Sequence, residues 1–488
     1  MKIIMGLTKI EGKLNGLHWI TTSLFIVADL AGGGIVAMPL AMVKSGLVAG
    51  LIIMTILFLT FSYTAHMLGH NWIRMCQNWP EYNKHCRKPY PEMALRSMGE
   101  KSRTFTSFVV NAMLFGISIV YLLLASKIIS DIVFSLIGIN VGSCVMLLIV
   151  ASIMLPVTFL KSPQDFWWAI VVAMFTTLFA VILIFSGIIS DYKYCTSKAN
   201  YPQFNIKNLF LSLGTFMFSF GGHAVFPTIQ HDMKKPNKFT RSSIVAFILV
   251  LIMYVPVTVL GYIVYGDSVQ DSIISSLQIP VLQNIANAFI AVHCILTLTI
   301  VINPLNQEVE HFLNIPHHFG WQRISVRTFV MGIIVFTAET VPNFGPILNL
   351  IGGTCVTLTS ALMPSFFYLF METRLKMIKD NINEKKDEND IYPTLIDVYK
   401  NTNTSKLIIN LLIIILSLIC GIATTISAVK EMGDNQFSTP CYLKSYFNEY
   451  DTTTPKIMES FKLINCCGKY LNESRYNDIN VCLNNISI

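Results

Sequence analysis

Apolar runs long enough to cross a lipid bilayer recur along the whole chain. A helix of about 20 residues spans the roughly 30 Å hydrocarbon core, and on that measure we predict eleven membrane-spanning helices. The runs are continuous rather than alternating, which favours helices over a membrane barrel. The predicted spans are 19–42, 46–69, 106–126, 143–160, 167–189, 209–231, 244–265, 281–304, 326–341, 346–370 and 407–429.

Composition indicates an all-α polytopic membrane protein. Of the 488 residues, 53% are hydrophobic and 13% are charged, whereas a soluble domain carries about 25% charged residues. The eighth span is expected to end at Pro304, because proline interrupts a helix. The tenth is expected to end near Phe370.

Lysine and arginine set the predicted orientation, because cytoplasmic loops carry an excess of them. With the N-terminus inside, most of the 35 basic residues fall in inner segments. The short outer loops between spans hold Lys44, Lys193, Lys198 and Lys207. The net charge of +7 therefore reflects topology, and we expect a lipid bilayer and no nucleic acid as partner. A plasma membrane and an endolysosomal or vesicular membrane fit equally well.

Eleven spans place residues 430–488 on the extracellular or luminal side. This tail has four cysteines, which suit an oxidising compartment: Cys441, Cys466, Cys467 and Cys482. It also has two glycosylation sequons, at Asn472 and Asn485. Cys195, in the outer loop after span five, is a fifth disulfide candidate. Its pairing with the tail would leave one tail cysteine free, and the connectivity stays open.

Two spans are interrupted at matched positions. In "AGGGIVAMP" of span one, four residues separate Gly33-Gly34 from Pro39, and in "FSFGGHAVFP" of span six, four residues separate Gly221-Gly222 from Pro227. In a helix interior, glycine and proline cost about 1 and 3 kcal/mol relative to alanine. An offset of five spans means that the second copy crosses the membrane in the opposite direction.

Interrupted spans at corresponding places of two inverted halves point to a transporter's binding site. An unwound helix presents free N–H groups on one half-helix and free carbonyls on the other. A zwitterion, with one carboxylate and one ammonium, matches both sets. The alternative, that these glycines only allow close helix packing, stays open.

The motifs resemble the amino acid/auxin permease family of the amino acid–polyamine–organocation superfamily. The resemblance covers about residues 19–430, and the tail is unlike most members. The stretches that carry it are "GGGIVAMPLA", "FSFGGHAVFPTIQHDMKKP", "PYPEMALRSMG", "TLTIVINPLN" and "VPNFGPILNLIGG".

This resemblance implies a leucine-transporter-type fold with a 5+5 inverted repeat and an eleventh helix. The segments would be a cytoplasmic N-terminus (1–18), a first repeat (19–189), a second repeat (209–370), a cytoplasmic linker (371–406) that we expect to be flexible, the eleventh span (407–429) and the tail (430–488). It also implies amino acid transport driven by protons or sodium. The substrate site would comprise Asp29, Ala31, Gly32, Gly33, Gly34, Ile35, Ser219, Phe220, Gly221, Gly222 and His223.

Asp29 is the leading candidate for ion coupling, because an ionisable group at membrane depth is costly and therefore a functional candidate. It would carry a proton, or as a fixed anion bind the substrate ammonium or sodium. Sodium-coupled members have an asparagine just before the break, and Ala28-Asp29-Leu30 lacks one. Thr297 matches a hydroxyl of their sodium site, although it would also bond within its own helix. Protons are favoured narrowly.

His223 stands at the second break, either as a gate or substrate donor or as a structural group that satisfies freed carbonyls. No ATP-binding or hydrolase motif is present, and no cofactor, metal site or enzyme activity is predicted. The chain is predicted to be a proton-coupled secondary active amino acid transporter that works by alternating access. A sodium-coupled transporter and an amino acid-sensing receptor on the same fold are the alternatives, and the oligomeric state stays open.

Overall fold

Helices make up nearly all of the regular structure that the sequence forms. The computed structural model describes residues 16–83, 86–139, 141–159, 167–316, 320–380, 391–434, 440–444, 464–476 and 481–482. Residues 1–15 of the predicted cytoplasmic N-terminus lie outside these ranges. In the described ranges, β-pairing is confined to isolated bridges.

The α-helices of the described ranges follow the apolar runs closely. They are α1 (Trp19–Leu30), α2 (Gly33–Ser45), α3 (Leu47–Asn78), α4 (Pro89–Met98), α5 (Glu100–Ile137), α6 (Ser143–Thr158), α7 (Trp167–Cys195), α8 (Ile206–Phe220), α9 (Phe226–His231), α10 (Phe239–Tyr265), α11 (Ile273–Ser276), α12 (Pro280–Phe312), α13 (Trp321–Thr340), α14 (Phe344–Ile351), α15 (Met363–Asp380), α16 (Leu395–Asn401), α17 (Thr404–Asp434) and α18 (Cys441–Lys444).

Length and apolarity make this a multi-pass membrane protein. Among the described residues, seven helices are long and apolar enough to span: α3, α5, α7, α10, α12, the run from α14 to α15, and α17. The pair α1 and α2 passes the same test together, with a bend of 56° between them. Two shorter apolar helices, α6 and α8, accompany them.

The two interrupted spans lie antiparallel to each other. We call α1 with α2 the first broken span, and α8 with α9 the second. The half before the first break contacts the half after the second, and α2 packs against α8. At one end, the Leu17 N–H donates to Asp232 O (2.9 Å) and the Lys234 N–H to Leu17 O (2.8 Å). The two broken spans therefore run in opposite directions, as the five-span offset predicts.

The remaining spans pair in the way that two inverted repeats of five require. Helix α3 packs against α10 and α5 packs against α12, each pair being equivalent spans of the two halves. Contacts between non-equivalent spans also repeat in the two halves. Span one (α2) packs on span seven (α10), as span six (α8) packs on span two (α3). Span five (α7) packs on span eight (α12), as span ten (α14) packs on span three (α5). The eleventh span, α17, packs against α8 and α14. The predicted leucine-transporter-type arrangement is therefore confirmed.

Several helices extend beyond the predicted spans, and part of the predicted linker is helical. Helix α12 continues through Pro304 to Phe312; Pro304 lies on the exposed face of α12, where an interrupted hydrogen bond is tolerated. Helix α15 continues past Phe370 to Asp380. The predicted flexible linker 371–406 contains the end of α15, helix α16 and the start of α17, and its residues 381–390 lie outside the described part.

The tail contains three disulfides, and two of them fasten it to one side of the bundle, which we call the outer side. The pairs are Cys144–Cys441, Cys195–Cys467 and Cys466–Cys482. The expectation that one tail cysteine would stay free is wrong, because Cys144 supplies the sixth thiol. Cys144 stands in the first turn of α6, inside the apolar run 143–160 that is predicted as a membrane span. Of the sequons, Asn472 is exposed, and Asn485 lies outside the described residues.

Peptide mapping under non-reducing conditions tests this connectivity. We expect two cross-linked species: one pair that joins the Cys144 and Cys441 peptides, and one three-peptide species in which the adjacent Cys466 and Cys467 join the peptides of Cys482 and Cys195. Reduction before digestion should abolish both. Recovery of Cys144 as a free thiol, or of Cys195 linked to Cys441, would contradict the structure.

Candidate functional site

The first break exposes backbone between α1 and α2. Helix α1 ends at Leu30, Ala31 leaves the helical region (φ −86°, ψ 84°), and α2 begins at Gly33. Gly32 is required by close approach: a Cβ there would lie 2.5 Å from the Tyr121 hydroxyl and 2.6 Å from His293 Nε2. The glycine run therefore brings polar side chains of α5 and α12 against the backbone.

The second break lies between α8 and α9. Helix α8 ends at Phe220, Gly221 is extended (φ −97°, ψ 107°), and α9 begins at Phe226. A Cβ on Gly221 would clash with Val356 and lie 3.3 Å from Ser360 Oγ. Both of those residues belong to span ten, in a stretch where two π-helical segments, Gly352–Val356 and Leu358–Leu362, replace the α-helix. Such segments are frequent at functional sites.

The two breaks touch each other through glycines. A Cβ on Gly34 would collide with the backbone and side chain of Ser219, at 2.8 Å from the Ser219 Cα. A Cβ on Gly222 would collide with the Asp29 carboxyl group. The glycines therefore permit contact between the broken spans, and they also bring Asp29 against the second break.

Tyr254 of α10 connects the two breaks directly. Its hydroxyl lies 2.7 Å from Leu30 O and 3.2 Å from Ser219 O, the carbonyls just before the first and second breaks. The side chain is fully buried, and its ring meets Phe220 edge-on at 5.6 Å. The hydroxyl has one proton for the two carbonyls, and Leu30 O also accepts from the Gly32 N–H (3.1 Å), so Ser219 O is the carbonyl with more room for a further donor.

Asp29 has an unusual environment for a carboxyl group. Its Oδ2 is buried and has no hydrogen-bond partner among the described residues. A charged group buried without a partner is costly. A proton or a cation at Asp29 would remove that cost, which is the property that an ion-coupling group needs.

His223 is placed away from the gap between the breaks. It is fully buried, and its Nε2 lies 2.9 Å from Phe61 O and 3.0 Å from Thr64 Oγ1 of α3. Nε2 therefore carries the proton and donates to the Phe61 carbonyl. This geometry matches the structural alternative for His223 better than direct contact with a substrate.

Thr297 is already engaged in a local polar chain. Its Oγ1 lies 3.3 Å from His293 Nε2, and His293 Nδ1 lies 2.7 Å from Thr177 Oγ1 and 3.2 Å from Ala173 O. The chain links α12 to α7 behind Gly32. The hydroxyl oxygen keeps at least one lone pair in this contact, so the contact is compatible with either coupling ion.

Sequence reasoning missed the side chains that neighbouring spans bring to the breaks. Tyr121, Tyr254 and Ser360 lie in apolar stretches without a motif. Their role depends on which helices pack together, and the only available signal was a polar or aromatic residue in an otherwise aliphatic span.

The fold and the paired breaks define a membrane transporter of the inverted-repeat class. The family described as transmembrane amino acid transporter protein matches residues 15–381, and the chain belongs to that family. The family predicted from the sequence is thereby confirmed, and a transporter family agrees with the prediction that the chain is not an enzyme. Helix α17 and the tail lie beyond the match.

Relatives from Arabidopsis thaliana carry transporter names. Amino acid transporter AVT1C is 24% identical over 352 residues, covering 71% of this chain, and AVT1J is 24% identical over 348 residues, covering 70%. Lysine histidine transporter-like 1 is 30% identical over 195 residues, which is 38% of this chain and 43% of that protein. The matched region spans 62% of the length of AVT1C and 79% of AVT1J.

Solved transporters resemble the chain more distantly. MhsT in complex with L-phenylalanine has 9% identity and a TM-score of 0.49, covering 86% of this chain and all of MhsT. Mhp1 in its inward-facing conformation has 12% identity and a TM-score of 0.48, covering 90% of this chain and 95% of Mhp1. These TM-scores are below 0.5, so the fold assignment rests on the packing described above.

Adjacent glycines of the first break should respond differently to alanine. Gly34→Ala should destabilise the protein by about 1–3 kcal/mol, because the new methyl group meets Ser219 backbone that cannot move aside. Gly33→Ala is the matched control, since the nearest atom there is Leu124 Cδ2 at 3.4 Å. Thermal unfolding in detergent measures both. Equal melting temperatures for the two variants would show that the broken spans do not touch at Gly34.

Proposed function

We propose that the protein is a secondary active transporter of amino acids that is coupled to protons and binds its substrate between the two broken spans. One observation carries the proposal: the breaks meet in antiparallel contact, with the Asp29 carboxyl group against Gly222 and its Oδ2 without a hydrogen-bond partner among the described residues. Membership of a family named for amino acid transport supports the substrate class.

The substrate carboxylate is proposed to bind at the start of α2. The first amides of a helix lack an intrahelical acceptor and carry partial positive charge, and α2 is long enough, at 13 residues, to sustain that field. The Ile35 N–H already donates to Gly32 O (3.2 Å). Gly33 and Gly34 are therefore the principal proposed donors, with Ile35 and Gly32 shaping the backbone around them.

The substrate ammonium is proposed to bind the carbonyls at the ends of α1 and α8. The segments Asp29–Ala31 and Ser219–Gly221 provide them, with Phe220 beside Tyr254 closing one wall. Leu30 O also accepts from the Gly32 N–H, whereas Ser219 O competes with it for the one hydroxyl proton, so a charged donor would improve the hydrogen bonding of Ser219 O.

Asp29 is proposed to carry the coupling proton. Protonated Asp29 is neutral, and the group becomes an anion only when a cation such as the substrate ammonium is near. Ala28-Asp29-Leu30, which lacks the asparagine that sodium-coupled members carry before the break, supports a proton over sodium. The proposal includes a cytoplasmic N-terminus and an extracellular or luminal tail, supported by the loop charges and by the tail disulfides.

Uptake into liposomes tests the function. With an inward proton gradient, the purified protein should accumulate labelled amino acids, and an inward sodium gradient alone should not drive accumulation. Accumulation driven by sodium would contradict proton coupling. Binding without accumulation under either gradient would contradict transport and favour the receptor alternative.

Asp29→Asn should reduce proton-driven accumulation at least about tenfold, an effect worth about 1.4 kcal/mol, because the amide cannot carry the proton. Asp131→Asn is the control, since Asp131 is a part-buried carboxyl of α5 that does not lie at the breaks. Uptake is measured against external pH for both variants. The same pH dependence in Asp29→Asn as in the parent would contradict the role of Asp29.

A further inference from the structure

A short buried segment closes the outer half of the bundle above the breaks. We call residues 272–278, which include α11, the outer plug. Ile273, Ile274, Leu277 and Gln278 are fully buried, although the segment is only a connection between α10 and α12. Connections normally run over the surface, so this burial requires specific partners.

The plug reaches the outer half of the first broken span. A Cβ on Gly261 of α10 would lie 3.2 Å from Ile273 Cδ1 and 2.9 Å from Pro39 Cβ of α2. Ile273 and Pro39 therefore approach the same point on α10. On the other side, Leu277 packs against Gly187 of α7. The plug therefore lies wedged between α2, α7 and α10, and it must move before the outer half can open.

The tail holds the base of this plug through one amide side chain. The Gln278 Nε2 donates to Glu473 O (3.2 Å), and the Arg475 N–H donates to Gln278 Oε1 (2.7 Å). The side chain thus pairs with the tail backbone as a neighbouring strand would. Asn465 adds a hydrogen bond to Ser275 O (2.8 Å).

Gln278, at the end of the outer plug, is also bound to the end of α7. The buried Asp191 Oδ2 accepts from the Gln278 N–H (2.9 Å) and from the Tyr265 hydroxyl (2.7 Å). Arg475 of the tail lies 3.5 Å from Asp191 Oδ1. The Cys195–Cys467 disulfide then joins α7 covalently to the tail.

We propose that the described tail residues 464–476 and 481–482 are a clamp that holds the outer plug closed, and that Gln278 is the positioning residue through which the clamp acts. The clamp lies outside the region shared with the family, so it is a device of this chain added to the common bundle. It sets how often the outer half opens. That consequence for transport rests on the proposed function, whereas the position of the plug does not.

Thiol labelling of the plug tests the clamp without measuring transport. Ser272→Cys introduces a nearly isosteric thiol at a buried hydroxyl that has no hydrogen-bond partner within the described residues. The full-length protein in lipid nanodiscs is treated with a water-soluble maleimide, and modification of the peptide containing residue 272 is followed by mass spectrometry. Labelling should be slow in this parent.

Three variants are compared in the Ser272→Cys background. Gln278→Ala and the double variant Cys195→Ser/Cys467→Ser should each accelerate labelling of residue 272 about tenfold, because loss of the clamp raises the population of the open plug. The matched control is Cys144→Ser/Cys441→Ser, which removes the disulfide that attaches the tail to α6 instead. That variant should label at the parent rate.

Equal labelling rates in all variants would overturn the clamp, and so would faster labelling in the control, which would indicate general loosening. If Gln278→Ala does not fold, Gln278→Glu keeps the size and an acceptor for the Arg475 N–H, and it replaces the amide donor to Glu473 O and to the Cys195 and Cys467 sulfurs with an acidic oxygen. It should still accelerate labelling. Amino acid uptake by the same variants separates the two proposals, since a clamp effect without any uptake would leave the clamp standing and contradict transport.

Discussion

Unwound backbone at membrane depth has to find its hydrogen-bond partners inside the protein, because lipid offers none. This chain unwinds at two places, after Leu30 and after Phe220. The breaks are placed against each other, and Tyr254 provides a donor for a carbonyl on either side. Helices α5, α10 and α12 enclose this contact between the breaks and keep it buried.

Some polar groups at the breaks lack a full set of hydrogen-bond partners, and this makes the breaks suitable for a ligand. Ser219 O shares one hydroxyl proton with Leu30 O, the first amides of α2 stand at the start of a helix, and the Asp29 Oδ2 has no hydrogen-bond partner in the described part of the chain. An amino acid with its ammonium and carboxylate carries the complementary groups. The same features that cost stability in the empty protein therefore favour binding of a zwitterion.

The positions of the breaks could be predicted because glycine and proline act locally. Two Gly-Gly pairs with a proline at equal spacing mark the interruptions, and the five-span offset gives their antiparallel relation. Pro304 shows the limit of that local argument, since it lies on the exposed side of α12 and does not end the helix. Pro39 likewise lies inside α2, so the first break coincides with the glycine run and not with the proline.

The partners of the breaks could not be predicted, because they depend on tertiary contacts. Tyr254 is one tyrosine among 18 in the chain, and nothing in its neighbours distinguishes it. His223 stands within a break, but it faces α3 and donates to Phe61 O. Likewise the tail cysteines were visible in the sequence, whereas Cys144 was concealed in an apolar span.

The central claim is that an amino acid binds between the two broken spans. A cryo-electron microscopy structure with a saturating transported amino acid tests it most directly. The account predicts density for the carboxylate at the Gly33 and Gly34 amides, and for the ammonium near Ser219 O and Asp29. Density for the amino acid at any other place, with the space between the breaks empty, would contradict it.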